Sequence, residues 1–264
     1  MAQPVAHSYG KDAVSVYRIE GGRLFACTVR MILRGEAFAS SYTEGDNSLV
    51  VATDSMKNFI QRAAVDYRAD GLEGFLVIVG ERFLERYGHV RAVELRAEEA
   101  VFAPRARSVL QRLYADRAVA EVTLRDDGSR RERSGLEGLH LIKLSGSSFA
   151  GFVRDEYTTL PETHDRPLFV HLDASWHNAD YERRAARDEV RTALIETFSD
   201  FESASIQELV HEMGVRVLNR CPEIDSISFS AENRLWDTAQ QGDSVTVYTD
   251  ARPPFGVISL SLDR

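Results

Sequence analysis

Cysteine is scarce: the chain holds two, Cys27 and Cys221, far apart and at no metal-binding spacing. That excludes a disulfide framework and a cysteine-based zinc motif, and the expected state is two free thiols in a reducing compartment. A surplus of positive charge is missing too. With 32 Lys and Arg against 41 Asp and Glu, the formal net charge is -9, the wrong sign for a protein whose main partner is the phosphate backbone of nucleic acid. A local basic pocket for a small anion stays open. Long apolar runs are lacking: the longest, Phe75 to Val79, falls far short of the roughly 20 residues that cross a bilayer. The opening MAQPVAHSYGKD has no apolar core or cleavage pattern of a leader. The closing SLDR is not the tripeptide that directs proteins to peroxisomes. A cytoplasmic location is therefore expected. There is no glycine-rich phosphate loop and no nucleophile-elbow spacing around Ser145, Ser147 and Ser148, so neither dinucleotide or ATP use nor serine hydrolysis has support.

What is present is the patterning of a folded protein, 44% hydrophobic and 28% charged, long enough for one large domain or two small ones. Apolar residues alternate over residues 14–19 and 23–33, which reads as two strands joined at Gly21-Gly22. Phe59, Ile60, Ala63, Ala64 and Tyr67 fall on one helical face, and beyond Gly71 so do Leu72, Phe75, Leu76, Val79 and Phe83. Extended stretches at 90–102 and 118–124 close this half, before a turn at Asp126-Asp127-Gly128. The second half repeats the order. Strands are expected at 139–144, 149–158 and 168–172, and a charged helix at 181–198. Ser205 and Glu208 form a capping box ahead of Ile206, Leu209, Val210, Met213 and Val217, which line a helical face. Strands at 224–230, 245–248 and 257–262 follow. The expected class is α+β, as two repeats at 1–132 and 133–264, each with antiparallel hairpins and helices segregated to one face.

The stretch LHLIKLSGSSFAGFVRDEYTTLPETHDR, residues 139–166, resembles the signature of the urate oxidase (uricase) family. The match includes Lys143, Ser145, Ser147, Phe149, Phe152, Tyr157, Leu160 and Arg166, with Leu144 in place of a small hydroxyl or valine. Three more segments agree in order: YGK at 9–11, NSLVVATDSMKN at 47–58 and RPPFG at 252–256. The resemblance implies tandem tunnelling-fold (T-fold) repeats assembled as a barrel-like homotetramer, with active sites at interfaces between chains. It implies oxidation of urate by dioxygen and water to 5-hydroxyisourate and hydrogen peroxide, in purine catabolism, with no cofactor and no metal.

The residue types suit that chemistry. Urate is a flat purine anion that needs a stacking surface, donors in its plane, a base and a water-poor pocket for oxygen. The resemblance makes Arg166 the edge clamp, since a guanidinium offers coplanar donors; taken alone, it is a surface arginine paired to Asp165. Gln207 is the opposing clamp, with the backbone amide of Ile206 beside it at a helix start that favours anions. Phe149 is the stacking ring and Leu160 an apolar wall. Thr53 and Asp54, a helix cap on local reading, are implied to enter a neighbouring chain's site, Thr53 touching substrate and a proton relay and Asp54 offering a backbone amide. Lys11 is the amine end of the relay. A lysine acts as a base only if its pKa falls from about 10.4. Asn233 caps the position of dioxygen and water. Many relatives carry a histidine one or two places after this asparagine; here Arg234-Leu235-Trp236 follows. One reading has the fixed charge of Arg234 lower the pKa of Lys11, so that lysine and water suffice. The other has turnover crippled and urate merely bound. The first is preferred because the other matched positions are filled.

Two rival classes remain. A zinc enzyme of the same fold would use clustered histidines, but His164, His171 and His177 lack ligand spacing. A non-catalytic urate sensor or carrier differs from an oxidase by one assay, peroxide release.

Overall fold

A computed structural model describes residues 6–68 and 71–264. The first five residues, part of the stretch read for a leader, lie outside them. The chain divides into two compact units, Met1–Ser134 and Gly135–Arg264.

In the first unit, β1 (Tyr9–Glu20) and β2 (Arg23–Arg34) form a hairpin. Gly21 and Gly22 make its turn, both at positive φ (57° and 80°). A short helix α1 (Ser40–Thr43) leads to α2 (Thr53–Asp66) and α3 (Leu72–Arg86). Then come β3 (Ala92–Glu99), a separate hairpin of β4 (Phe102–Ala106) and β5 (Val109–Arg112), and β6 (Arg117–Arg125). The main strands pair antiparallel in the order β1-β2-β3-β6. Alternation decides which face is buried. Val29, Met31 and Leu33 of β2 and Val93, Leu95 and Ala97 of β3 pack with Met56, Ile60, Phe75, Leu76, Val79 and Phe83 of the helices. Between them stand Arg30, Glu94 and Arg96, charged residues that pair with partners on neighbouring strands, and the apolar Ile32. Arg96 reaches Glu121 at 3.0 Å, directly opposite in register, a cross-strand ion pair of the kind that reinforces register.

Strand β7 (Arg130–Lys143) runs through the division between the units, where the sequence reads as a turn-rich boundary near 126–135. The second unit continues with β8 (Leu168–Asn178), α4 (Arg187–Asp200), α5 (Ile206–Arg220), β9 (Ile224–Asn233), a separate hairpin of β10 (Asp237–Gln241) and β11 (Thr246–Thr249), and β12 (Gly256–Asp263). Strands β8, β9 and β12 are antiparallel neighbours. Leu168, Val170, Leu172, Ala174 and Trp176 alternate into a core completed by Val190, Leu194, Leu209, Val210, Met213 and Val217. The architecture is α+β with antiparallel strands.

Two expected elements need correction. Residues 149–158 are not a strand: Phe149 pairs with Thr163 alone, and Gly151 turns at a φ of 73°. The Asp155 carboxylate then accepts the Tyr157 amide at 3.0 Å in a side-chain turn, the conformation aspartate offers in competition with a ladder. The charged helix begins at Arg187, not near Tyr181, because Asp180 takes the Glu182 amide at 2.9 Å and holds a turn there. No helix among the described residues is long and apolar enough to cross a membrane.

Candidate active site

The anticipated site residues form two groups, one in each unit. In the first, Lys11 lies on β1 opposite Met31. Just before it, Gly10 sits so close to the Met31 carbonyl that no Cβ fits, which explains a glycine between Tyr9 and Lys11. Just after it, the register slips between Lys11 and Val14 and Ala13 takes a left-handed φ of 56°. Such a bulge bends the strand and re-aims its side chains. Asp12 Oδ1 accepts the Ala13 amide at 2.7 Å.

Thr53 and Asp54 open α2, but the expectation that this Thr-Asp-Ser run caps the helix is corrected. The N-cap is Ala52, with no side-chain cap, and Thr53 is already helical. Asp54 instead accepts from Lys57 Nζ at 2.6 Å and Asn58 Nδ2 at 3.0 Å. Its pKa is lowered, chiefly by the Lys57 hydrogen bond and in smaller part by the charge of Lys11. Lys11 therefore lies within electrostatic reach of the helix start. An uncapped first turn presents backbone amides at the positive end of the helix dipole, the arrangement that anions use.

In the second unit a short run of backbone is laced on both sides. The Phe149 amide donates to the Thr163 carbonyl at 2.7 Å, and the Arg166 amide to the Ser147 carbonyl at 3.0 Å. On the other side, the Ser148 amide donates to the Ser203 carbonyl at 2.9 Å. Ser203 stands three residues ahead of Ile206, so these bonds draw Phe149, Arg166 and the start of α5 together. At that start Ser205 Oγ accepts the Glu208 amide at 3.1 Å, and Glu208 reaches back to the Ala204 amide at 2.8 Å. The expected capping box is present, with its return bond one residue earlier. Ile206 is buried and Gln207 exposed.

The guanidinium carbon of Arg166 lies 5.7 Å from the centre of the Phe149 ring, and that ring stacks on Phe152 at 4.9 Å and 12°. Burial lowers the Arg166 pKa. Asp165 is no partner of its side chain in this structure: its carboxylate accepts the Gly146 amide at 2.7 Å. Arg166 Nε is buried without a hydrogen-bond partner among the described residues, as is Asn233 Oδ1. Asn233 ends β9 between Val170 and Gly256. An unsatisfied buried polar atom costs about 1–3 kcal/mol, and such groups call for a functional account. Leu160 is exposed, its carbonyl 3.3 Å from Arg154 Nη1, and these backbone bonds do not gather it in. Arg234 stacks over Phe255, 3.5 Å from the ring centre, with Nε 2.8 Å from Glu232 Oε2.

Three residues escaped the sequence reading. The Tyr9 hydroxyl accepts the Val51 amide at 2.8 Å, and Lys143 Nζ donates to the Phe201 carbonyl at 2.8 Å. Both stand inside matched motifs, which was their only signal. Ser203 had none. His171 stacks on His140, ring centres 3.6 Å apart. Among the described residues no group of three or more His, Cys, Asp or Glu is placed to hold a metal ion.

A family model described as Uricase matches residues 7–108 and 132–259, which takes in all ten anticipated site residues. The chain belongs to the uricase family. It is similar to the uricase of Haloferax volcanii, 38% identical with 97% of this chain and 98% of that protein aligned. It is 41% identical to a uric acid degradation bifunctional protein of Bacillus subtilis over 87% of this chain, and spans about half (52%) of that longer relative. The structure of the uricase from Arthrobacter globiformis matches with a TM-score of 0.92 at 29% identity, covering 100% of this chain and 96% of that one. A hyperthermostable mutant of the urate oxidase of Bacillus sp. TB-90 matches at 0.90 and 34%, with 98% of each chain covered. Within the uricase-family match, the stretch left out, 109–131, holds β5 and β6 and none of the candidate residues.

Proposed function

We infer that this chain oxidises urate in purine degradation, passing two electrons to dioxygen and adding the oxygen of water to the ring. Urate, dioxygen and water give 5-hydroxyisourate and hydrogen peroxide, and no cofactor or metal takes part. The observation that carries this reading is the Arg166 guanidinium, half-buried beside Phe149, on backbone that is tied through Ser147, Ser148 and Ser203 to the segment leading into α5.

In that frame the purine lies on Phe149, with Leu160 as a further apolar wall. Arg166 bonds one edge, and Gln207 with the Ile206 amide bonds the other. Backbone ties set where the two clamps stand before the ligand arrives. The uncapped amides of α2 extend the same anion-binding logic to Thr53 and Asp54. Thr53 relays the proton that Lys11 accepts, and Asn233 holds dioxygen or water above the ring. Arg234 stands near the third relay position; its charge is shared with Glu232, so the relay feels the pair and not a bare cation.

The two groups work together across chains, in a homotetramer of T-fold repeats. Strand β1 pairs only with β2 and β12 only with β9 among the described strands. Each unit thus offers an unpaired strand edge, which a second copy can extend.

The deciding experiment follows loss of urate absorbance together with peroxide in buffer treated with a metal chelator. One peroxide per urate consumed is expected. Tight urate binding with no peroxide would instead leave a sensor or carrier.

A further inference from the structure

The start of α2 has an unusual support. Its N-cap is Ala52, whose methyl group cannot accept a hydrogen bond from the first turn. The anchoring bond comes one residue earlier and from far along the chain: the Tyr9 hydroxyl accepts the amide of buried Val51 at 2.8 Å. The Tyr9 ring is itself fixed, edge-on to fully buried Phe38 with centres 4.8 Å apart. Tyr9 and Lys11 lie two apart on β1, opposite Leu33 and Met31. Val51 and Thr53 are likewise two apart. One hydrogen bond therefore joins the strand that carries Lys11 to the segment that delivers Thr53.

We propose that Tyr9 is a positioning residue of the proton relay, holding the first turn of α2 at a set distance from Lys11. This rests on the urate-oxidising reading above. Burial raises the Tyr9 pKa, so the hydroxyl stays protonated at neutral pH and serves as a neutral acceptor rather than as a base. Three features suit a positioning role. The ring supplies packing, the oxygen alone supplies the tie, and the charge of Lys11 is already felt at Asp54 in that first turn. Removing the oxygen leaves the ring contacts in place and the Val51 amide unpaired. The first turn then gains freedom where small displacements cost most in rate.

The test is Tyr9→Phe in the full chain, made both in the otherwise native protein and with Thr53→Ala. In the native background kcat should fall about tenfold, and the pH dependence of kcat should shift, with anaerobic urate binding changed about twofold or less. Combined with Thr53→Ala, the same change should cost under about twofold, because residues that act through one another are not additive. Equal losses in both backgrounds, or an unchanged native rate and pH profile, would overturn the proposal. If the Phe variant does not fold, hydrogen exchange at the Val51 amide of the native protein decides: protection supports the tie and rapid exchange removes it. Failure of the urate-oxidising reading looks different, since the unaltered protein would then release no peroxide.

Discussion

Leu262 of β12 lies against Gly214 of α5 so closely that a Cβ on the glycine would overlap its Cδ1. The first unit has the same device. Gly80 is the ninth residue of α3 as Gly214 is of α5, and Leu124 of β6 presses on it in the same way. Both helices have 15 residues. A glycine inside a helix costs about 1 kcal/mol against alanine, so its presence at both positions marks the contact between helix and strand as worth more. Gly214→Ala and Gly80→Ala should each destabilise the protein. Overpacking of about 1–3 kcal/mol outweighs the gain in helix propensity, and a lower denaturant midpoint at fixed chain concentration would show it. An unchanged or raised midpoint would mean that the leucine swings aside freely.

Arg166 to Lys keeps the charge and loses the planar fork. Urate oxidation should fall about 10- to 150-fold in kcat/KM, the equivalent of one charged hydrogen bond of about 1.5–3 kcal/mol. The loss should appear largely in KM if the clamp binds substrate and transition state alike. A variant with native kinetics would remove Arg166 from the site.

Arg234→His tests the relay beside Asn233. The substitution frees Glu232 and introduces a group that titrates near pH 6.5. If position 234 faces the relay, the pH profile of kcat should acquire a new limb in that region. An unaltered profile places Arg234 outside it, with the Glu232 and Phe255 contacts as its whole role.

The two thiols give a prediction about pH and access. Burial, with a smaller contribution from Glu99, pushes Cys27 up to about 12, and burial first raises Cys221 to about 11. An unfolded thiol ionises near about 8.5. The folded state holds these protons longer than the unfolded one, so their contribution to stability is complete below about pH 8.5 and lost as pH rises toward the folded values. Native protein at pH 8 should therefore resist a thiol reagent that labels both cysteines in denaturant. Rapid labelling of native protein would contradict the burial of both.

Ala13 carries a left-handed φ of 56° in the bulge beside Lys11. A side chain there costs about 1–2 kcal/mol. Ala13→Gly should raise the unfolding midpoint slightly if the bulge keeps its shape, while a fall would show that the alanine restrains the strand in a way glycine does not.

Much of the fold is legible locally. The alternation at Val29, Met31 and Leu33 and the helical spacing of Ile206, Leu209, Val210, Met213 and Val217 each mark a buried face without reference to the rest of the chain. Strand β11 is anticipated at 245–248, but its partner β10 and the hairpin of β4 with β5 escaped that reading because their residues are mostly exposed, so no apolar alternation announces them. Residues 149–158 misled it in the opposite sense. Their aromatic and β-branched content suits a strand, but Asp155 and Gly151 win locally through turn bonds.

The sequence by itself determined which faces are apolar and which residue types stand in the motifs, because those depend on spacing over a few residues. Tertiary structure alone decided that Ser203 laces Arg166 and Phe149 to α5, that Ala52 and not Thr53 is the N-cap of α2, and that Tyr9 reaches Val51. The ties at Ser203 and Tyr9 are hydrogen bonds between backbone and partners tens of residues away. Any polar group of suitable length can make such a bond, and only the closed chain selects which one does.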